Sequence, residues 1–359
     1  MTRHIQHTWL SSQDDTHPLS GTGETLRWGV AATGGIARTM VRELALLPDA
    51  TLHAVSSRSR ERAADFSREF GFGRYYSDDG GVPGFVALAQ DPDVDVVYVA
   101  TPHAQHYDVA KAAIEAGKHV LVEKAFTVNA HEAQELVRLA EKQGVFLMEA
   151  VWTRFLPAMQ RAFEIAESGE LGEVRWVSAD LGFPAPKDPD DRIWAVGAGG
   201  GALLDLTIYP LLWALGTLGF PDSLTALGTL NSDGVDQQNV LALSYSGGQL
   251  ATLTSSLLAH GPRAATIAGS EGYLTTVGSI NNPKELVVRR GWDPPRTERF
   301  EVAGRGYVYE LREVTRCIQQ GLTESPTMPW AHTLNTMRLF DGVRRQLGIR
   351  YPNDEHPSR

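Results

Sequence analysis

Between residues 25 and 149 short β-branched runs alternate with stretches of helical periodicity, a rhythm that few folds accommodate. The expected strands are 26–32, 51–56, 94–100, 119–123 and 145–149. Apolar residues recur at helical spacing in the intervening segments 37–47, 59–70, 105–116 and 130–143. Asn129 is a suitable N-cap, and Gly117 and Gly144 stand where left-handed glycines close helices. Parallel strands need long crossovers, which these helices supply. The expected fold is therefore α/β, a doubly wound parallel sheet of Rossmann type.

Beyond about residue 150 the rhythm changes. A helix over 157–168 leads to longer strands at 173–181, 223–230, 240–245, 249–257, 264–269 and 284–290. Helices over 308–320 and 331–347 follow. Alternations such as Val240, Ala242, Ser244 and Leu253, Ser255, Leu257 suit a sheet with two unlike faces. The expected organisation is a polar tail over 1–24, read as disordered, and a Rossmann domain over 25–150. An α+β domain with a broad, mostly antiparallel sheet over 151–351 and a polar tail over 352–359 complete it. The final helix is a candidate to pack back on the first domain.

The 359 residues carry a formal charge of −10, which argues against a nucleic-acid surface. No uninterrupted apolar run reaches membrane-spanning length, and the first two dozen residues lack a signal-peptide core, so no membrane role is expected. Cys317 is the only cysteine, which excludes an intrachain disulfide and fits the cytoplasm. His4, His7 and His17 lie in the tail without fixed geometry, and no metal site is expected there.

The first strand runs into Ala32-Thr33-Gly34-Gly35-Ile36-Ala37. A chain that turns tightly at a strand end and brings a helix N-terminus up to a pyrophosphate needs small residues there. Against the G-x-G-x-x-G/A pattern Ala32 takes the first place, Gly34 the second and Ala37 the third, so the first glycine is missing. The strand before and the helix after supply the context. Strand two ends at Ser57-Arg58, where an NAD enzyme carries an acidic residue for the ribose. Hydroxyls and a guanidinium suit a 2′-phosphate, which points to NADP, with NAD as the other candidate.

The fourth strand ends in Thr101-Pro102-His103-Ala104-Gln105-His106. Ligands of doubly wound sheets bind at such carboxyl ends, so Thr101, Pro102 and His103 are expected to face the cofactor and His106 the substrate. A metal role for the two histidines lacks a third ligand at recognisable spacing. The fifth strand ends in Glu123-Lys124-Ala125. A partly desolvated lysine at a strand end can have its pKa lowered and take part in proton transfer. Asp205 and Tyr209, spaced i, i+4, share one face of a helix, although Pro210 disturbs that backbone. The glycine run before them lacks the Lys-Ser/Thr of a P-loop and reads as a mobile loop.

The turn at 32–37, Glu123-Lys124-Ala125 in place of Glu-Lys-Pro, and Gly200-Gly201-Ala202-Leu203-Leu204-Asp205-x-x-x-Tyr209 together resemble the glucose–fructose oxidoreductase / inositol dehydrogenase (Gfo/Idh/MocA) family. So do Ile267-Ala268-Gly269-Ser270-Glu271-Gly272 and Leu322-Thr323-Glu324-Ser325-Pro326, and the resemblance covers about residues 25–351. Tyr209, where many relatives have His, resembles the dihydrodiol dehydrogenase and D-xylose dehydrogenase branch. The resemblance implies that Glu123 and Lys124 stand at the nicotinamide. Tyr209 is then the expected general acid/base, with Lys124 as its electrostatic partner and Asp205 orienting the substrate or the lysine. Without the usual proline, the peptide after Lys124 need not be cis. Trp152 is implied as a wall of the substrate pocket. Hydride transfer to or from a sugar, polyol or cyclic diol is the function expected, in a homodimer or homotetramer joined through the C-terminal sheet. A non-catalytic NADP-binding sensor on the same fold is the alternative, separated from it by a substrate screen.

Overall fold

Strand β1 (Leu26–Ala31) is buried from Trp28 onward, and β2 (Ala50–Ser56) and β4 (Val96–Val99) pair with it in parallel along its two edges. The computed structural model describes residues 17–186, 188 and 191–355. By contacts these form two units. One runs through Trp152 and includes Ala303–Leu334; the other takes Thr153–Val302 and the described residues from Asn335 onward.

In the first unit, β3 (Arg74–Tyr76), β5 (His119–Glu123) and β6 (Leu147–Ala150) complete a six-stranded parallel sheet of order β3-β2-β1-β4-β5-β6. That order reverses between β1 and β4, the switch point at which doubly wound sheets open a ligand crevice. The crossovers are α1 (Gly35–Leu44), α2 (Arg60–Phe70), α3 (Gly84–Gln90), α4 (His106–Glu115) and α5 (Ala130–Gln143). Asn129 caps α5 by accepting from the Glu132 N–H at 2.9 Å, and Gly144 ends it in the left-handed conformation, as the sequence indicates. Sequence reading misses β3 and α3. A three-residue polar edge strand and a seven-residue helix are too short to display a period.

The helix α8 (Val308–Gln319) also belongs to this unit. The Arg312 guanidinium makes two 2.7 Å bonds to the carboxylate of Asp49, and both side chains are almost fully buried. The same guanidinium reaches the Pro18 carbonyl at 3.1 Å and the Thr22 hydroxyl at 2.8 Å. This corrects the expected disorder of the N-terminal tail over its last part, because a buried arginine has five donors to satisfy and recruits these residues. His4 and His7 lie outside the described residues. Glu43 of α1 holds α8 at its start, accepting from the backbone N–H of Arg305 and Val308 at 2.9 and 3.2 Å.

The second unit opens with α6 (Pro157–Glu167) and β7 (Val174–Gly182). A π-helical turn at Leu203–Thr207 continues into α7 (Ile208–Leu218). There follow β8 (Ser223–Leu230), β9 (Asp236–Ser244), β10 (Leu250–Ser256), β11 (Ala265–Gly269), β12 (Gly272–Val277), β13 (Glu285–Arg290) and β14 (Arg296–Arg299). The helix α9 (Trp330–Leu347) begins in the first unit and ends in the second. The eight strands form one sheet of order β14-β13-β12-β11-β7-β10-β9-β8, antiparallel except between β7 and β10. Its existence and character match the sequence reading. The strands β12 and β14 escape that reading, since only Ser270 and Glu271 separate β11 from β12 and leave no loop signal.

The stretch Val196–Leu218 is apolar enough to resemble a membrane span, with hydropathy 1.4, but 78% of its most apolar window is buried within the protein. It is a core helix, held by the Trp213 indole N–H on the Ile280 carbonyl at 3.2 Å.

Removing one member of a buried ion pair strands the other. Asp49→Ala should therefore cost about 3–5 kcal/mol in urea unfolding. A variant as stable as the parent would show that α8 is held by other means.

Candidate active site

The β1–α1 turn adopts the geometry its sequence only partly advertises. Ala32 has φ 129°, a region that glycine visits freely and alanine rarely, so the turn keeps the glycine conformation without the glycine. Gly34 is the N-cap of α1 and has no side chain to cap it, and a Cβ built on Gly34 or Gly35 would meet no atom of the described residues within 4 Å. The first N–H groups of a helix have no partner within it, and here nothing but hydrogen occupies the approach to them. Together with Thr33, Ile36 and Ala37 these residues fit a pyrophosphate. The Thr33 and Ser57 hydroxyls lie 3.5 Å apart, joining this turn to the end of β2. Arg58 is exposed beside Ser57, and Ser59 caps α2 through Arg62 N–H at 3.3 Å.

The ends of β4 and β5 are tied together through the backbone around Lys124. His103 Nε2 stands 3.2 Å from the Lys124 carbonyl. His106 Nδ1 stands 3.0 Å from the Ala125 carbonyl and 3.2 Å from that of Phe126, while its Nε2 lies 2.8 Å from the Thr101 carbonyl. From the other side, Glu149 accepts from the Phe126 N–H at 3.0 Å and from the Thr333 hydroxyl at 3.0 Å. Thr101, Pro102, His103, Glu123 and Lys124 thus gather at one edge of the sheet.

One expectation needs correction here. His106 is fully buried with both ring nitrogens against backbone carbonyls, so it braces the loop and does not reach substrate. The peptide Lys124-Ala125 is cis despite the absence of proline.

Glu123 has buried neighbours, Tyr98 and Glu310, that the sequence analysis does not single out, and Glu149 is a further buried carboxyl of this kind. The Tyr98 hydroxyl donates to Glu123, and Glu310 of α8 is wholly buried nearby. Burial, then the neighbouring Glu123, drives the Glu310 carboxyl well above its usual range. Burial also pushes Glu149 up to about 7, against the opposing pull of Thr333, the Phe126 N–H and the Lys124 charge. The available signal was a carboxylate within or at the end of two short, largely apolar strands, Glu123 in β5 and Glu149 in β6. Trp152 is 5% exposed and stacks on Tyr307 with ring centres 4.2 Å apart.

Asp205 and Tyr209 belong to the other unit. The turn that carries Asp205 is π-helical, with the Thr207 hydroxyl bonded to the Ala202 carbonyl five residues back at 3.1 Å. Pro210 has no N–H to offer Leu206, and the widened turn comes just ahead of that break. Arg192 Nη2 lies 3.4 Å from Asp205 Oδ1. The preceding glycines are not an open mobile loop. Gly199, Gly200 and Gly201 are buried, and the Tyr351 hydroxyl donates to the Gly200 carbonyl at 3.2 Å. One further cluster with metal-ligating atoms, His53, Asp91 and Asp93, is already bridged by Arg74 at 2.7 and 2.8 Å.

The Glu149 shift has a definite sign. A carboxyl whose folded pKa is raised holds its proton after the unfolded chain has released it. Stability therefore falls as pH climbs from the usual carboxylate range through about 7. Glu149→Gln should flatten that decline by about 2 kcal/mol between pH 5 and 8. Parallel stability profiles for the two proteins would contradict the assignment.

Comparison with known proteins agrees with this geometry. Residues 26–151 match the oxidoreductase family with an NAD-binding Rossmann fold, and residues 159–275 match the GFO/IDH/MocA C-terminal domain. Trans-1,2-dihydrobenzene-1,2-diol dehydrogenase of Mus musculus is 35% identical over 340 residues, covering 92% of this chain and 99% of the relative. The protein of the same name from Xenopus tropicalis is 34% identical, covering 91% of this chain and 99% of its own. A 3-ketoreductase from Actinomadura kijaniata, solved with NADP and TDP-benzene, superposes with TM-score 0.80 at 28% identity, covering 90% of this chain and 98% of that one. A dinucleotide turn, a braced lysine at the end of β5 and matches along both halves lead to one conclusion: the chain is an NAD(P)-dependent oxidoreductase of the Gfo/Idh/MocA family.

Proposed function

We propose that this oxidoreductase uses NADP to oxidise or form a secondary alcohol or hemiacetal carbon on a cyclic diol, polyol or sugar. The observation that carries the reading is the bracing of the backbone at Lys124 by His103, His106 and Glu149. So many buried bonds fix one lysine where a doubly wound sheet binds its ligand. The names of the relatives support a ring alcohol as substrate class. The Ser57-Arg58 pair supports NADP, because a guanidinium makes charge-assisted bonds to a 2′-phosphate.

Bound nicotinamide would accept or deliver the hydride. The Tyr209 phenol would take the proton from the substrate hydroxyl, or return it in the reverse direction. The Lys124 ammonium would stabilise the oxygen as its charge changes, and Asp205 would orient the substrate. Ala32, Thr33, Gly34, Gly35, Ile36 and Ala37 would hold the pyrophosphate. Trp152, stacked on Tyr307, would offer an aromatic wall to a ring substrate.

We also read the sheet face bearing Leu227, Val240, Leu250 and Trp176 as the seat of a second copy. These residues are 71%, 43%, 55% and 45% exposed, and they lie on four neighbouring strands, β8, β9, β10 and β7. Leu227 pairs with Val240, and Leu250 with Trp176, and the register puts all four on one face of the sheet. A homodimer or homotetramer follows. The single buried cysteine suits a cytoplasmic location.

Turnover is read as NADPH absorbance against aldoses, polyols and cyclic diols, trans-1,2-dihydrobenzene-1,2-diol among them. Lys124→Ala and Tyr209→Phe should each lower turnover by about 10²–10⁴-fold while NADPH still binds. Parental turnover in both variants would sink the assignment. Arg58→Ala should weaken NADP binding by about tenfold or more and leave NAD unaffected. In light scattering the parent should be a dimer or tetramer, and Leu250→Lys should shift it towards monomer. A monomeric parent would refute the shared face.

A further inference from the structure

At the first residue of β9 a carboxylate lies under the turn that carries Asp205. Asp236 is fully buried, and its Oδ2 accepts from the Leu203 N–H at 2.7 Å and from Asn239 Nδ2 at 3.2 Å. Leu203 opens the π-helical turn, so this bond satisfies a donor at a helix start that no residue of the helix can serve. Asn239, also buried, donates from Nδ2 to the Thr207 hydroxyl at 3.0 Å. Thr207 in turn donates to the Ala202 carbonyl at 3.1 Å. Asp236 and Asn239 therefore grip the turn at both its ends, Leu203 and Thr207, with Asp205 between them and Tyr209 two residues on.

The approach of this carboxylate is built into the glycine run. Gly201 has φ 118°, and a Cβ there would lie 2.0 Å from Asp236 Oδ1. A Cβ on Gly200 would lie 2.5 Å from the Ile193 carbonyl oxygen. The two glycines are thus required by the backbone's passage between Ile193 and the Asp236 carboxylate, which explains a run that a phosphate loop does not. Burial raises the Asp236 carboxyl to about 6, so the protein tolerates an unfavourable charge at this position. Among the described residues the Oδ1 atom has no hydrogen-bond partner. An apolar residue would fill the space at less cost but would leave the Leu203 N–H without an acceptor.

We infer that Asp236, with Asn239 and Thr207 as its relay, is a positioning residue for the reaction: it fixes the widened turn from which Asp205 and Tyr209 reach the substrate. It acts through the backbone and touches no substrate itself. The inference rests on the catalytic roles given above to Asp205 and Tyr209. Displacement of a catalytic group by about 1 Å can cost 10²-fold in rate, so loss of this grip should appear in kcat before it appears in binding.

The test compares Asp236→Ala, Asp236→Asn and Thr207→Val with the parent in the assay panel above, with active sites counted by NADPH titration. Asp236→Ala should lower kcat per NADPH site by about 10–100-fold with NADPH affinity unchanged. Asp236→Asn keeps an oxygen for the Leu203 N–H and should restore most of the loss. Thr207→Val removes the relay hydroxyl at constant size and should lower kcat by about 3–10-fold, again at constant NADPH affinity. It serves as the test if Asp236→Ala does not fold. Amide exchange in Asp236→Ala should accelerate at Leu203–Thr207 and not across the sheet. Parental kcat in Asp236→Ala, or in Thr207→Val where the alanine variant does not fold, overturns the inference, as does an equal loss in Asp236→Ala and Asp236→Asn. If Tyr209→Phe keeps parental turnover, the catalytic reading itself fails. If Tyr209→Phe is inactive and Asp236→Ala is not, only the positioning role fails.

Discussion

The backbone at residues 124–126 is held by buried side chains from the strands on both sides of it. Two histidines from the end of β4 face its carbonyls, and a glutamate from β6 takes its N–H. All three of these side chains are buried, so each bond forms where water cannot replace it. The lysine at the head of this segment is left no choice of backbone position. The parallel sheet makes the arrangement possible, since β4, β5 and β6 end on the same side and their terminal residues meet without any long loop.

The same economy appears at β1. The phosphate turn needs a backbone conformation that glycine adopts freely, and the chain enforces it on Ala32 through the strand before and the helix after. Strained residues of this kind cost about 1–3 kcal/mol and persist where the surroundings over-determine them. In the other unit the corresponding device is a widened helical turn gripped from β9. In each unit a buried polar side chain from a neighbouring strand holds the end of a regular element that bears a proposed catalytic residue.

Much of this was legible in the residues. The alternation of strands and helices up to Glu149 gave the parallel sheet, because β-branched runs and 3.6-residue periods are local signals. The Asn129 cap and Gly144 closure were equally local. Lys124, Asp205 and Tyr209 stood out through spacing and family resemblance. What stayed hidden depends on contacts far apart in sequence. Nothing near His106 announces that its ring would be spent on the carbonyls of residues 101, 125 and 126. Arg312 gives no sign of its partner, Asp49, 263 positions earlier. Asp236 reads as one more loop acid until the fold sets it beneath Leu203. Short edge elements such as β3 and β14 escaped because three or four residues cannot show a period.

The central claim is that a braced lysine and a tyrosine turn a dinucleotide fold into a ring-alcohol oxidoreductase. Its most direct test is to mix the purified parent protein with NADP and trans-1,2-dihydrobenzene-1,2-diol, aldoses and polyols in turn and to follow NADPH absorbance. The account predicts steady NADPH formation with at least one cyclic diol or sugar, faster with NADP than with NAD. Tight NADPH binding with no turnover across the whole panel, in either direction, would contradict it.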